Sequence, residues 1–412
     1  MQEYRRGALN ALYLILVQGV NYIVPLAVMF HLMKELGVSG FGEYAFWYSV
    51  MLYVQTFVDY GFSFSGTRDL AAAEGRASEI AVIFYEVTLA KLLLSVGVLI
   101  FFAVFCFLND HDYQLVLIVA VTGVVTALIP NWYFQGIQQL KVISLLNVIG
   151  KVVFFVLVYS VIDGGSKVKD MFLLHLLGGG LPLFFGYWIS CRSLPWAPKW
   201  DFHTICAQYF SGWHIFSTTM LSMLLSNGGV FWLGVSASPA VVGVYAAVEK
   251  VVKAIAGLFV PISQAFYPLN SRMFSLSFDR GMRSVFVTGS VMVALCAVAV
   301  LVFNFSSALW FEVFKIPVEG NLYLGLLLSW VFFSVFNNVA GIQTLSASGA
   351  AARYAYSFNV AAVAFILVVY LGEGEDAGVS VAKALLLSEV VLSVLLVLNV
   401  LHITAKNRLS KI

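Results

Sequence analysis

Five lysines stand inside stretches otherwise built from aliphatic and aromatic residues: Lys91, Lys151, Lys250, Lys253 and Lys383. An ammonium near the centre of an apolar medium costs about 2.5–3.5 kcal/mol on insertion scales. Each must therefore meet an acidic partner, an aqueous cavity, or both. Carboxylates in the same stretches are Asp59, Glu86, Glu249 and Glu389. Glu249 and Lys253 are spaced i,i+4, a favourable ion-pair geometry on a helix. Lys250 and Lys253, three apart, share a helical face with Ala246 and Gly257, where small residues leave room. Near the middle of the spans the lysines outnumber the acids, so pairing leaves positive charge over. Two readings stay open: structural ion pairs, or a cationic cavity that receives an anionic substrate.

Arg68 and Arg272 hold matching places, each closing the second apolar span of its half of the chain. They serve either as charge anchors at the membrane surface or as phosphate contacts at a cavity mouth. Asp59, in Val58-Asp59-Tyr60-Gly61, is either a proton or cation site or the partner of Arg68. Glu86, Glu249 and Glu389 are the other candidates for ion coupling. Polar and helix-weakening residues gather in four spans: Gln18, Asn21 and Pro25; Asn227, Gly228 and Gly229; Pro261 and Gln264; Asn337, Asn338 and Gly341. Breaks of this kind suit helices that bend while lining a cavity, which makes Gln18, Asn21, Asn227, Gln264 and Asn338 candidate lining residues. Most aromatic side chains read as lipid-facing bulk.

Several chemistries are disfavoured. Gly164-Gly165-Ser166-Lys167 lacks the spacing of a phosphate-binding loop, and the six histidines form no H-E-x-x-H. No nucleophile elbow occurs. Asp110-His111-Asp112 has the D-x-D form of membrane glycosyltransferases, but its loop is so short that a solvated turn is the better reading. Cys106, Cys191, Cys206 and Cys296 show no metal spacing and read as free thiols. No catalytic residue, metal or cofactor is expected, and a net charge of +2 without a long basic run gives no nucleic-acid surface.

The elements that must position these residues are membrane helices. Hydrophobic residues make up 61% of the 412-residue chain and charged residues 11%, against roughly 25% charged in soluble domains. A crossing helix needs about 20 mainly apolar residues, and twelve stretches qualify: 8–33, 44–62, 80–108, 113–134, 142–162, 171–191, 209–232, 241–267, 285–305, 322–345, 354–371 and 379–403. The first is too long for a signal-peptide core. With the amino terminus inside, fourteen lysines and arginines fall in cytoplasmic segments and four in outer loops. That bias puts both termini in the cytoplasm.

Internal repetition divides the chain. Leu36-Gly37-Val38-Ser39 with Gly42-Glu43-Tyr44-Ala45 returns as Leu233-Gly234-Val235-Ser236 with Gly243-Val244-Tyr245-Ala246. Gly136-Ile137-Gln138-Gln139-Leu140 returns as Gly341-Ile342-Gln343-Thr344-Leu345 at a similar offset. The expected architecture is an all-α polytopic membrane protein with six-helix bundles at 1–200 and 201–412, joined by a linker around 192–208. Six crossings per half is an even number, so the bundles are parallel repeats related by a pseudo-two-fold along the membrane normal.

Four segments carry a family resemblance: Gln18-Gly19-Val20-Asn21-Tyr22 with Pro25; Leu36-Gly37 through Gly42-x-Tyr44; Val58-Asp59-Tyr60-Gly61-Phe62 leading to Thr67-Arg68-Asp69; and Trp132-Tyr133-Phe134-Gln135-Gly136. In their order they resemble the polysaccharide transporter family, the Wzx-type O-antigen flippases of the multidrug/oligosaccharidyl-lipid/polysaccharide exporter superfamily. The resemblance implies a bacterial inner-membrane protein that moves undecaprenyl-pyrophosphate-linked oligosaccharide from the cytoplasmic to the periplasmic leaflet. It implies membrane lipids, and the polysaccharide polymerase and chain-length machinery, as partners. The second half departs from the pattern, with Pro239 inserted before Gly243. The alternatives are a cation-coupled drug antiporter of the same superfamily and a membrane glycosyltransferase or polymerase.

Overall fold

The structure, a computed structural model, describes residues 2–73, 75–109, 112–196, 202–372 and 376–409, with side chains for all of these except 2–18, 109, 202–204, 211 and 408–409. Asp110, His111, Pro198, Lys199, Lys411 and the acidic Glu373-Gly374-Glu375 turn lie outside the described residues, as do the side chains of Arg5, Arg6, Gln18 and Arg408. The described residues are helical almost throughout and contain no strand. Contacts divide the chain into two compact units, Met1–Met223 and Leu224–Ile412.

The first unit contains α1 (Gln2–Glu35), α2 (Gly37–Asp59), α3 (Phe62–Ala72), α4 (Ala77–Asn109), α5 (Tyr113–Leu128), α6 (Asn131–Gly136), α7 (Leu140–Val161), α8 (Val168–Ser193) and the start of α9 (Phe202–Ser236). Its innermost helix is α5, which packs against α2, α4 and α8. The α5–α6 span is 61% buried, whereas α4 and α7 are each 22% buried and turn most of their surface outward. Small residues allow this. A side chain at Gly123 of α5 would stand 2.6 Å from Val54 and 2.9 Å from the Met51 carbonyl of α2.

The second unit contains α10 (Pro239–Gly257), α11 (Phe259–Leu276), α12 (Phe278–Phe305), α13 (Ser307–Val313), α14 (Asn321–Asn337), a π-helix (Asn338–Ser346), α15 (Ala351–Leu371) and α16 (Ala377–Leu409). Its order repeats that of the first unit, with α13 and a one-turn 3-10 helix added. The tetrads Leu36–Ser39 and Leu233–Ser236 both fall where one long helix hands over to the next.

Four spans expected as single helices, 44–62, 113–134, 241–267 and 322–345, are broken. The first breaks because Tyr60 (φ 48°) and Gly61 (φ 81°) are both left-handed, a conformation that ends a helix. Gly61 is required twice over, since a side chain there would also meet Ile215 of α9 at 2.6 Å. The second breaks at Pro130, which biases Ile129 towards extended backbone (ψ 124°). The third is interrupted at Leu258, between α10 and α11, where the backbone stays in the right-handed region (φ −65°, ψ −24°). The fourth slips from α to π hydrogen bonding at Asn338. Arg68 and Arg272 therefore lie on the second fragments, α3 and α11, rather than on the long helices. The linker expected at 192–208 is also shorter, because α8 continues to Ser193 and α9 begins at Phe202.

Among the described residues, nine helices are long and apolar enough to cross a membrane. The other three expected crossings fall on α1, on α2–α3 and on α10–α11. Aromatic side chains divide between two environments. Phe107, Phe210 and Phe286 are exposed, but Trp132, Tyr133, Phe134, Phe84 and Phe62 form a buried core around α3, α4 and α6. The expectation of lipid-facing bulk fails there because the Pro130 break turns α6 inward against α3. Thr67 Oγ1 donates to the Trp132 carbonyl at 3.1 Å and fastens the two fragments together.

The close approach of α2 and α5 can be tested with Gly123→Ala, set against Gly97→Ala in α4, where nothing lies within 4 Å. Overpacking of this sort costs about 1–3 kcal/mol. The expected result is a lower thermal midpoint for Gly123→Ala in detergent and an unchanged or raised one for Gly97→Ala. Equal midpoints would refute the contact.

Candidate functional site

In the first unit, the α2 break and the carboxyl end of α5 meet around one buried cation. Lys91, on α4, is 1% exposed, and its Nζ donates to Asp59 Oδ1 at 2.7 Å and to the Ala127 carbonyl at 3.2 Å. The second contact places positive charge against the last turn of α5, where unsatisfied carbonyls carry partial negative charge. Asp59 Oδ1 also accepts from Ser63 Oγ at 2.7 Å, and Oδ2 accepts the long 3.4 Å contact from the Ser63 amide. Asp59 thus ends α2, caps the first turn of α3 and neutralises Lys91.

The expected Asp59–Arg68 pair does not form. The Tyr60–Gly61 turn carries Arg68 away on α3, where its guanidinium pairs with Asp69 at 2.9 Å and is largely exposed. Tyr60 holds the turn from the other side, stacking on Phe216 at 4.5 Å and donating to the Tyr209 carbonyl at 3.1 Å.

Beside the Lys91–Asp59 pair lies a cavity of about 150 Å³, walled by Asp59 and Ser63, by Gln55 and Thr56 of α2, by Thr126 of α5, by Asn131 of α6 and by Thr219 of α9. Lys91 is not part of its wall. The structure sets that ammonium behind the carboxylate, not against the cavity.

The remaining basic candidates are more accessible. Lys151, exposed on α7, donates to Asn21 Oδ1 of α1, joining two residues singled out separately in the sequence. Lys253 makes the expected i,i+4 pair with Glu249 at 3.2 Å and also donates to the Ser226 carbonyl. Lys250 is half-buried on the same helix and Arg272 is exposed on α11. Glu86 accepts from Gln208 Nε2 at 3.1 Å, and Glu389 accepts from Asn337 Nδ2 at 2.6 Å. Asn227 is half-buried on α9 and Gln264 exposed on α11.

Asn338 enters a network that sequence reasoning missed. Ser263 Oγ donates to Asn338 Oδ1 at 2.7 Å. Gln343, fully buried, donates to Ser263 Oγ at 2.9 Å and accepts from Asn270 at 2.9 Å. Asn270 also accepts from Ser284 at 2.6 Å, so α11, α12 and the π-helix are tied by neutral groups. The Gly341-Ile342-Gln343 echo was a usable signal for Gln343, though its counterpart, Gly136-Ile137-Gln138, forms a surface turn with Gln138 at φ 61°.

At the loop end of the first unit a wider opening of about 350 Å³ lies among Glu35, Glu43, Asp112, Lys167 and Lys169. Lys34 donates to Glu35 at 2.8 Å and holds its carboxyl below the usual range. The Gly165 amide, with the Ser166 hydroxyl, does the same for Asp163. Asp112 caps α5, accepting from the Gln114 amide at 3.0 Å.

The described helices define a polytopic helical membrane protein, and its fold is similar to those of two solved membrane proteins. An inward-facing multidrug resistance MATE family transporter aligns over 94% of this chain and 96% of its own with a TM-score of 0.69 at 13% identity. The lipid II flippase MurJ, in an inward closed conformation, aligns over 94% and 87% with a TM-score of 0.67 at 13% identity. A family model described as polysaccharide biosynthesis protein matches residues 8–274, and the chain belongs to that family. A putative O-antigen transporter of Escherichia coli K12 is 30% identical over 282 residues, 66% of this chain. The chain spans 66% of that relative's length.

Breaking a buried ion pair by removing one partner costs about 3–5 kcal/mol, while replacing both is far milder. Lys91→Met or Asp59→Asn alone is therefore expected to lower the thermal midpoint strongly, and the double variant to recover much of the loss. Additive single effects in that cycle would refute the pairing.

Proposed function

We propose that the protein translocates an undecaprenyl-pyrophosphate-linked oligosaccharide, such as an O-antigen repeat unit, from the cytoplasmic to the periplasmic leaflet of a bacterial inner membrane. The observation that carries this reading is the extent of the family match. Residues 8–274 contain all six basic candidates: Arg68, Lys91, Lys151, Lys250, Lys253 and Arg272. The E. coli relative, named as an O-antigen transporter, supports the same cargo class.

The physical logic is that a pyrophosphate and sugar head group needs a wet, cationic path while the lipid tail stays in the bilayer. Lys151, Lys250 and Lys253 supply that path, and Arg68 and Arg272 meet phosphate at the cytoplasmic mouth. Lys91 is committed to Asp59 and acts on the scaffold. Movement is by alternating access of the two six-helix bundles (1–200 and 201–412), with both termini cytoplasmic. The transporter is not an enzyme, and it works beside the polymerase and chain-length machinery that consume its product. Of the four carboxylates, Asp59 and Glu249 hold lysines. Glu86 and Glu389 hold the neutral amides of Gln208 and Asn337, which makes these two the better placed to exchange a proton or cation during transport.

The test is complementation of a strain lacking the native copy. The lipid-linked glycan should accumulate on the cytoplasmic face without the protein, and surface polysaccharide should return with it. Combined Lys250→Ala and Lys253→Ala should abolish that return at normal protein level, and Lys151→Ala should reduce it. Full output from all three substitutions would overturn the cationic path. Restored resistance to organic cations without restored polysaccharide would point instead to drug antiport.

A further inference from the structure

The cavity of about 150 Å³ in the first unit has a chemistry that the cationic path does not explain. Its acceptors are definite. Thr56, Thr126 and Thr219 each donate the hydroxyl proton to a carbonyl one turn back on their own helix, at 2.9, 2.9 and 2.8 Å, so their oxygens are left to accept. Asp59 Oδ2 adds a carboxylate oxygen whose contact with the Ser63 amide is long, at 3.4 Å. Its donors are two carboxamides. The carboxamide of Gln55 lines the same space. Asn131 accepts from Asn147 through Oδ1 at 3.1 Å, so its oxygen is engaged and its NH₂ group is left to donate.

Charge narrows the ligand. An inorganic or lipid-borne phosphate would use the donors but face the Asp59 carboxylate, with the Lys91 ammonium screened behind it. A monovalent cation would use the acceptors, but the Asp59 charge is already met by Lys91 at 2.7 Å, and the amide donors would be left unmatched. A neutral polyhydroxylated ring satisfies both sets, because every hydroxyl both donates and accepts. Size agrees, since a cavity of about 150 Å³ takes a single six-membered ring.

We propose that this cavity binds one uncharged sugar ring of the transported glycan, with Asp59 and Gln55 reading its hydroxyls. The assignment rests on the transport reading above and deepens it: the first unit holds a sugar subsite separate from the groups that meet pyrophosphate.

The experiment uses the full chain with Cys106, Cys191, Cys206 and Cys296 replaced by serine and a single probe cysteine introduced by Thr126→Cys. Thr219→Cys serves as the second position should the first chain fail to fold. Labelling by a small thiol reagent is timed in detergent with a panel of neutral monosaccharides, with inorganic pyrophosphate, and with sodium in place of potassium. At about ten times its dissociation constant, a bound sugar slows labelling by about tenfold through mass action. A neutral sugar is expected to protect and Gln55→Leu, which leaves the Lys91–Asp59 pair intact, to remove the protection. Protection by pyrophosphate or sodium but by no sugar would overturn the assignment, as would no protection at either position. Surface polysaccharide is scored for the same chains in cells. Failure of protection with polysaccharide intact sinks the subsite alone, and protection without polysaccharide sinks the transport reading alone.

Discussion

A lysine that is 1% exposed inside a helical membrane unit must be neutralised where it stands, and the contact between Lys91 and Asp59 does this at 2.7 Å. Three elements are committed by that requirement. α2 must end at Asp59 so that the carboxylate can turn towards α4. α3 must begin within one turn so that Ser63 can hold the same oxygen. α5 must stop near Ala127 so that its carbonyl can accept the second ammonium hydrogen. The left-handed pair Tyr60 and Gly61 and the Pro130 break follow as the local means of stopping those helices in the right places.

Helix breaks in an apolar medium expose backbone groups that water cannot reach. In this chain the breaks are furnished with their own partners. Thr67 meets the carbonyl of Trp132 beside Pro130, Lys91 meets Ala127, and Ser263 is joined to Gln343 and Asn338 where α14 gives way to the π-helix.

Much of this was legible from residue types alone, because an apolar chain with few charges leaves little choice of fold class. Glu249–Lys253 was legible because its spacing is local and the helix fixes the geometry. Asp59–Lys91 was not, since the partners lie on different helices and their meeting depends on the turn at Tyr60, which periodicity does not reveal. Arg68 looked like the nearer partner along the chain, but the same turn swings it outward. The network around Gln343 was only partly legible, through Asn338 and the Gly341-Ile342-Gln343 echo, because neutral amides carry no insertion cost large enough to mark the rest. The break at Asn338 was marked by the helix-weakening run Asn337, Asn338 and Gly341, whereas the break at Pro130 was hidden in a span whose hydropathy alone reads as unbroken helix. The core place of Trp132, Tyr133 and Phe134 was not legible, because an aromatic run looks the same whether it faces lipid or a core.

The two units reach a bend at the same point in their order of elements, but by different chemistry. In the first the bend is covalent, because a proline ring has no amide hydrogen to return to the ladder. In the second it is a matter of bookkeeping among hydrogen bonds: the Ala347 amide reaches back five residues to the Ile342 carbonyl, and Thr344 Oγ1 likewise reaches Val339. A π turn can be traded for an α turn by each amide choosing the next carbonyl along, and everything downstream then rotates about the helix axis. The chain thus carries an interruption at the same place twice, once fixed by a ring and once by hydrogen-bond register.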